Sequence, residues 1–217
     1  MTDAGAPALG RGEGGGSTDI WLLRHAESAN NPLPEREHRP DPRLTPLGRQ
    51  QALRLAQALA AQGVQVVLSS PLLRSLETAE PLVAAAGCDW WCWADLAEMN
   101  RAHPGDGQAV EALRRAFPAV RYEAALRWPG HPGPESAAAA AARAARVVDR
   151  LGSAVPRGGR VAVVGHGTFN AFLLRAWLGA PQDGSVQVVQ GNACIHHLRL
   201  ATGAVHLCRY NDGAHLR

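Results

Sequence analysis

Apolar positions along this chain follow two rhythms. Short runs at 20–23 (IWLL), 64–68 (VQVVL) and 161–164 (VAVV) have the length and β-branched character of strands buried on both faces. Between them, Ala52, Leu55, Ala56 and Leu59 recur at the three-to-four spacing of a helix with one apolar face. Helix starts are punctuated. Thr45-Pro46 offers a hydroxyl cap with proline at the first helical position, and Ser70-Pro71 repeats the signal. Gly63 and Gly87 are expected to end those two helices. Glu135-Ser136 opens a long alanine-rich helix reaching Leu151, and Thr168 is expected to cap another that runs through Trp177.

The weaker signals fill in the order. Prolines 32, 34, 40 and 42 make 32–43 a loop. The run 90–93 (WWCW) predicts a third strand, with tryptophans in the core or at a pocket rim rather than a stacking platform. Stretches 108–116 and 120–126 read as helical, and 194–200 with 204–210 reads as a hairpin around 201–203. Alternating strands and helices predict an α/β fold: a three-layer α/β/α sandwich around a mainly parallel sheet.

Composition narrows the function classes. The 217 residues suit one domain over 19–217, preceded by a disordered, Gly-rich tail over 1–18. That tail lacks the apolar core of a signal peptide, and no apolar run approaches a membrane span, so a cytoplasmic protein is expected. All 22 basic residues are arginine, which excludes Schiff-base and phosphate-loop lysine chemistry. A net charge of +3 is too small and too evenly spread to predict nucleic-acid binding. Cys88, Cys92, Cys194 and Cys208 show no paired metal spacing and read as buried reduced thiols. His196-His197 would point to opposite faces of a strand, which argues against a metal site there.

Three strand ends carry the chemistry: Arg24-His25, 69–74 with Arg74, and Gly165-His166-Gly167. In a parallel sheet, the carboxyl ends of the strands share one edge, where ligands bind. Two histidines and two arginines would converge there into an anion site. Forked guanidinium groups suit a phosphate monoester. A neutral imidazole can attack phosphorus, and a carboxylic acid must protonate the leaving alkoxide.

The segment LLRHAESANN resembles the signature of the histidine phosphatase superfamily, which includes phosphoglycerate mutases and many small phosphatases. Segments 41–52 (DPRLTPLGRQQA), 69–79 (SSPLLRSLETA), 132–136 (PGPES) and 163–168 (VVGHGT) resemble its further motifs in the same order. The resemblance implies a phosphoglycerate mutase-like fold. It places the nucleophile on His25 and the phosphate-binding groups on Arg24, Asn31, Arg74 and His166, with Gly167 and Ser28 as further contacts. It places the proton donor on Glu98, in an L-x-E context, with Asp95, Asp106 and Glu135 competing. Two departures stand out: Ala26 follows the histidine where glycine is commoner, and Pro134 replaces the turn's second glycine.

The expected activity is that of a metal-independent, histidine acid-type phosphatase working through a phosphohistidine on a small phosphorylated metabolite, without cofactor. A bisphosphoglycerate-dependent mutase is the alternative, although the run after Glu98 departs from the mutase pattern. An inactive phospho-ligand-binding module is the remaining reading. Arg101, Arg114, Arg115, Arg121 and Arg127 are candidates for a second anion or for plain solvation. Family members occur as monomers, dimers and tetramers, which leaves the oligomeric state open, a homodimer included.

Overall fold

The structure, a computed structural model, describes residues 16–99, 107–123, 126, 134–155 and 157–217. In chain order the elements are β1 (Thr18–Arg24), α1 (Pro46–Ala60), β2 (Val66–Ser69), α2 (Leu73–Ala86), β3 (Asp89–Cys92), α3 (Val110–Ala116), β4 (Arg121–Tyr122), α4 (Ala137–Ala154), β5 (Arg160–Gly165), α5 (Gly167–Leu178), β6 (Ile195–Ala201) and β7 (Ala204–Asp212). Across the sheet the order is β4-β3-β2-β5-β1-β6-β7. The first five strands are parallel, while β6 and β7 run antiparallel at one edge. This is the α/β/α sandwich with a mainly parallel sheet that the sequence predicts.

Side-chain alternation in the central strands builds the layers. From β1, Trp21 and Leu23 pack with Leu55 and Leu59 of α1 and Leu76 of α2. Ile20 and Leu22 face the other way, onto Val147 of α4 and Phe169 and Leu173 of α5. The same split runs through β5, with Ala162 and Val164 on the first side and Val161 and Val163 on the second. Each central strand is thus covered on both faces, which explains its unbroken apolar run.

Register then sets the site. Arg24 pairs with Gly165 across β1 and β5, and Ser69 pairs with Val164 across β2 and β5. The residues that follow these three strand ends, His25, Ser70 and His166, therefore emerge together on one sheet edge.

Several elements differ from the sequence reading. Thr45 does cap α1, accepting from Gly48 N at 3.0 Å, but the helix closes on Ala61 before Gly63 makes its turn. The start of α2 is Leu73 rather than the Ser70-Pro71 step, because the Ser70 hydroxyl is taken by His166. Asp41 serves instead: from a left-handed backbone position (φ 42°) its carboxylate accepts the Leu73 amide at 2.7 Å. Likewise Thr168 is not the cap of α5; His166 holds that position, and Thr168 lies in the first turn. Helix α4 runs through Gly152 to Ala154.

The helix expected over 120–126 is replaced, in its described part, by strand β4. Arg121 and Tyr122 pair beside Trp91 and Cys92, and Arg121 bridges to Asp89 at 2.9 Å. Sheet pairing overrides a weak local preference there. Trp90 and Trp93 are core residues as expected, while Trp91 is half-buried. Of the cysteines, all four are free, but Cys208 is exposed on β7 and Cys88 only half-buried. Residues 1–15 of the expected tail lie outside the described residues, and β1 already opens at Thr18. No described helix is long and apolar enough to cross a membrane.

Candidate active site

His25 stands just beyond β1, buried, with its amide donating to Gly165 O at 2.9 Å. Its Nδ1 lies 2.7 Å from the Ala26 carbonyl. A carbonyl only accepts, so Nδ1 carries the hydrogen and the lone pair sits on Nε2. Burial first, then the Arg74 guanidinium, and less strongly Arg24, hold the imidazole pKa well below its ordinary 6.5 against the opposing Ala26 hydrogen bond. The ring is therefore neutral at pH 7, with the lone pair on Nε2. The His166 ring lies 5.2 Å away, centroid to centroid, and tilted by 54°.

Arg24 ends β1 with NH1 donating to Gln190 O at 2.5 Å. Its Nε is sealed from solvent and has no hydrogen-bond partner, a buried donor awaiting an acceptor. Gly167 lies against it: a Cβ there would come within 3.2 Å of Arg24 Nε, a tight contact that would push on the guanidinium. Gly167 also begins α5, whose amino end favours an anion. Arg74, in the first turn of α2, is held 3.9 Å from Asp41.

Asn31 is positioned through its carbonyl oxygen, which accepts from Ser28 N at 2.7 Å, Ser28 Oγ at 3.0 Å and Asn192 Nδ2 at 3.2 Å. That leaves its amide nitrogen as the outward donor. The Ser28 hydroxyl proton is committed to Asn31, so Ser28 reaches the site through that neighbour.

Glu98 closes the constellation from the loop after β3. Its Oε1 accepts from Met99 N at 2.8 Å and Phe169 N at 2.9 Å, and Oε2 accepts from Thr168 N at 3.1 Å. The carboxylate thus caps α5 and retains one lone-pair direction on Oε2. Arg143 fixes the segment that carries it. This buried guanidinium donates to Asp95 O at 2.7 Å and Ala97 O at 2.8 Å, pairs with Glu135, and covers the Phe169 ring at 3.7 Å. Glu135 is thereby occupied as an ion-pair partner, and Asp106 lies outside the described residues.

All eight sequence-predicted site residues fall on the same edge of the sheet. Sequence reasoning missed Ser70, Asp41, Arg143 and Gln190. Each acts through a partner distant in the chain; the Ser70-Pro71 step and the segment that opens on Asp41 carry local signals, but neither points to these contacts. Of the arginines weighed for a second anion, Arg121 is paired with Asp89 and Arg114 stacks on Tyr122. Arg101 and Arg127 lie outside the described residues. Among the described residues, no three His, Cys, Asp or Glu side chains are grouped to hold a metal ion. A cleft of about 490 Å³ opens onto Arg24, Glu98 and Gly167.

Comparison with known proteins places the chain among relatives. A glucosyl-3-phosphoglycerate phosphatase of Mycolicibacterium vanbaalenii is 32% identical over 178 residues, covering 76% of each chain. A probable phosphoglycerate mutase of Escherichia coli is 35% identical over 81 residues, 37% of this chain and 38% of that protein. The native structure of a mycobacterial glucosyl-3-phosphoglycerate phosphatase superposes with a TM-score of 0.65 at 25% identity, covering 91% of this chain and 100% of the other. The model of the histidine phosphatase superfamily, branch 1, matches residues 20–213, and the chain belongs to that family.

Proposed function

We propose that this protein is a phosphomonoester hydrolase that acts on a small phosphorylated metabolite through a phosphohistidine on His25. The observation that carries the reading is the locked tautomer of His25, with Nδ1 tied to Ala26 O and Nε2 free, next in the chain to Arg24 with its unsatisfied Nε. In the first step Nε2 attacks phosphorus in line, the ester P–O bond breaks, and Glu98 gives its proton to the departing alkoxide. Water then attacks the phosphohistidine and the P–N bond breaks. The water's proton passes to Glu98, which restores the starting state. Arg24, Arg74, Asn31, His166 and the Gly167 amide hold the equatorial oxygens, and this positioning and charge stabilisation is the main catalytic contribution.

The acid-type label belongs to the same proposal, because a nucleophile with a depressed pKa stays neutral into the acidic range. So does a cytoplasmic location. The M. vanbaalenii relative supports a phosphorylated glycerate or glycoside as the substrate class. A homodimer is part of the reading as well: β7 is an open sheet edge that exposes Val205, Leu207 and Tyr210, and light scattering separates one chain from two.

The test is hydrolysis of 4-nitrophenyl phosphate in excess EDTA by the wild type and His25→Ala. The expected result is full activity in chelator and none in the variant; the reverse of either overturns the proposal. Interconversion of 2- and 3-phosphoglycerate, measured with and without the bisphosphate, separates phosphatase from mutase.

A further inference from the structure

The cleft that begins at Arg24, Glu98 and Gly167 continues along α5 past Ala171 and Phe172 to Arg175, and the 182–190 segment walls it on the far side. None of this extension is used by the phosphoryl end. Its most unusual occupant is Arg175, only 7% exposed. The Nε of Arg175 donates to Val186 O at 2.8 Å, and its guanidinium carbon lies 5.4 Å from the centre of the Phe172 ring. Among the described residues, no carboxylate lies within ion-pairing distance of it. Asp183, on the same wall, is turned to Ser185, whose amide and hydroxyl it accepts at 2.9 and 2.6 Å. The two terminal nitrogens of Arg175 make no hydrogen bond to a described residue, and unlike Arg24 Nε they are not sealed from solvent. Asp183 and Arg175 attract through space without forming an ion pair, and a largely buried cation with no carboxylate in contact gains from an anion that reaches it.

A second atom on the same wall lacks a partner. Gln182 donates through Nε2 to Phe172 O at 3.2 Å, while its Oε1 is buried with no hydrogen-bond partner. The cation fits an acidic group on a ligand that enters the cleft. Arg175 lies eight positions after Gly167 on the helix, a rise of about 12 Å, and an arginine side chain leans back toward the amino end of its helix. The second group of the ligand therefore lies one leaving group away from phosphorus, not on the phosphoryl group itself.

We propose that Arg175 forms a second anion subsite for the leaving group, so that the preferred substrates are phosphomonoesters whose alcohol carries a carboxylate or a further phosphate. This rests on the reading of His25 and Arg24 as the phosphoryl end. The two can fail separately.

The test compares matched esters: 4-carboxyphenyl phosphate against 4-carbamoylphenyl phosphate, and the 4-(2-carboxyethyl)phenyl ester against its amide. In the wild type, kcat/KM for the better-fitting acid should exceed that of its amide by about 10- to 100-fold, the range of a desolvated charge-assisted pair. In Arg175→Gln that ratio should fall toward one, and Arg175→Lys should restore part of it. Because each ratio is internal to one protein sample, a partly unfolded variant does not change it. The same comparison with non-hydrolysable benzylphosphonates, read by calorimetry, decides the subsite even if no ester is turned over. Acid-to-amide ratios near one in the wild type at both lengths, or a ratio unchanged in Arg175→Gln, overturn the proposal.

Discussion

Ser70 Oγ lies 2.7 Å from Nε2 of His166, and neither residue has solvent around it. The same oxygen accepts the Leu72 amide at 3.2 Å, so the hydroxyl links the turn before α2 to the imidazole at the head of α5. Ser70→Ala takes this partner from a ring that water cannot reach. Loss of a buried hydrogen bond of this kind costs about 1–3 kcal/mol, so the melting temperature should fall by several degrees. Turnover of 4-nitrophenyl phosphate should fall about tenfold as the ring loses its orientation, and Ser70→Thr should recover part of both. Wild-type melting and turnover in the alanine variant would contradict the link.

Glu98 is asked to do two jobs, capping α5 through the Thr168 and Phe169 amides and protonating the leaving group. Glu98→Gln tests the second by its dependence on the leaving group. General-acid assistance is worth about 10² to 10⁴-fold when the leaving alkoxide is a strong base, and much less when it is 4-nitrophenolate. The variant should therefore lose far more activity on an alkyl phosphate than on 4-nitrophenyl phosphate. Equal losses on both esters would reassign Glu98 to positioning alone.

The parts of this site legible in the sequence are those that follow directly from strand ends. Arg24, His25 and His166 sit one or two steps beyond apolar runs, and a parallel sheet brings such steps together whatever the loops do. Asn31 and Arg74 were reached through motif spacing. The supporting groups were not legible, because their partners are distant. Arg143 reads as a polar interruption in an alanine-rich helix, yet it is buried and holds the carbonyls of Asp95 and Ala97, more than 40 positions earlier. Ser70 looked like a helix cap because Ser-Pro is a local signal, and the long-range competitor His166 won the hydroxyl. Strand β4 is not legible in the sequence for a related reason. Two residues of sheet pairing have no periodicity to detect.

Gln190 ties the last loop to the phosphate end through a chain with one consistent direction. Asn211 N donates to His196 Nδ1 at 3.2 Å, which leaves the hydrogen of His196 on Nε2, 3.1 Å from Gln190 Oε1. Gln190 Nε2 then donates to Gly167 O at 2.7 Å, while the Gln190 carbonyl accepts from Arg24. Gln190→Leu keeps the carbonyl and breaks both side-chain links. Inorganic phosphate, as a competitive inhibitor, should bind about tenfold more weakly to it, and KM should rise more than kcat falls. An unchanged inhibition constant in a folded Gln190→Leu protein would count against the relay.

The pH behaviour follows from His25 and His196. In the proposed mechanism the attacking form of His25 is neutral, so the acidic limb of kcat/KM lies where pH falls through its folded pKa. Burial, Arg74 and Arg24 place that pKa well below 6.5, and the acidic limb of the profile belongs there too. Arg74→Gln removes the larger of the two charge effects and should move the limb upward, short of 6.5 because burial persists. Stability changes in the same direction. Above pH 6.5 both folded and unfolded chains carry neutral imidazoles and nothing is lost. Below it the unfolded chain gains protons that the folded chain refuses, so stability falls until pH reaches the folded values and then levels off. Burial lowers the His196 pKa to about 4. That group alone contributes roughly 3 kcal/mol to the loss between pH 6.5 and 4. Urea denaturation at pH 7.5 and 4.5 should show the drop in the wild type and a smaller drop in His25→Gln, which has no imidazole to charge at that position. Equal drops in the two proteins would mean that His25 titrates in the folded chain as it does in water, and the argument for a neutral nucleophile at acidic pH would go with it.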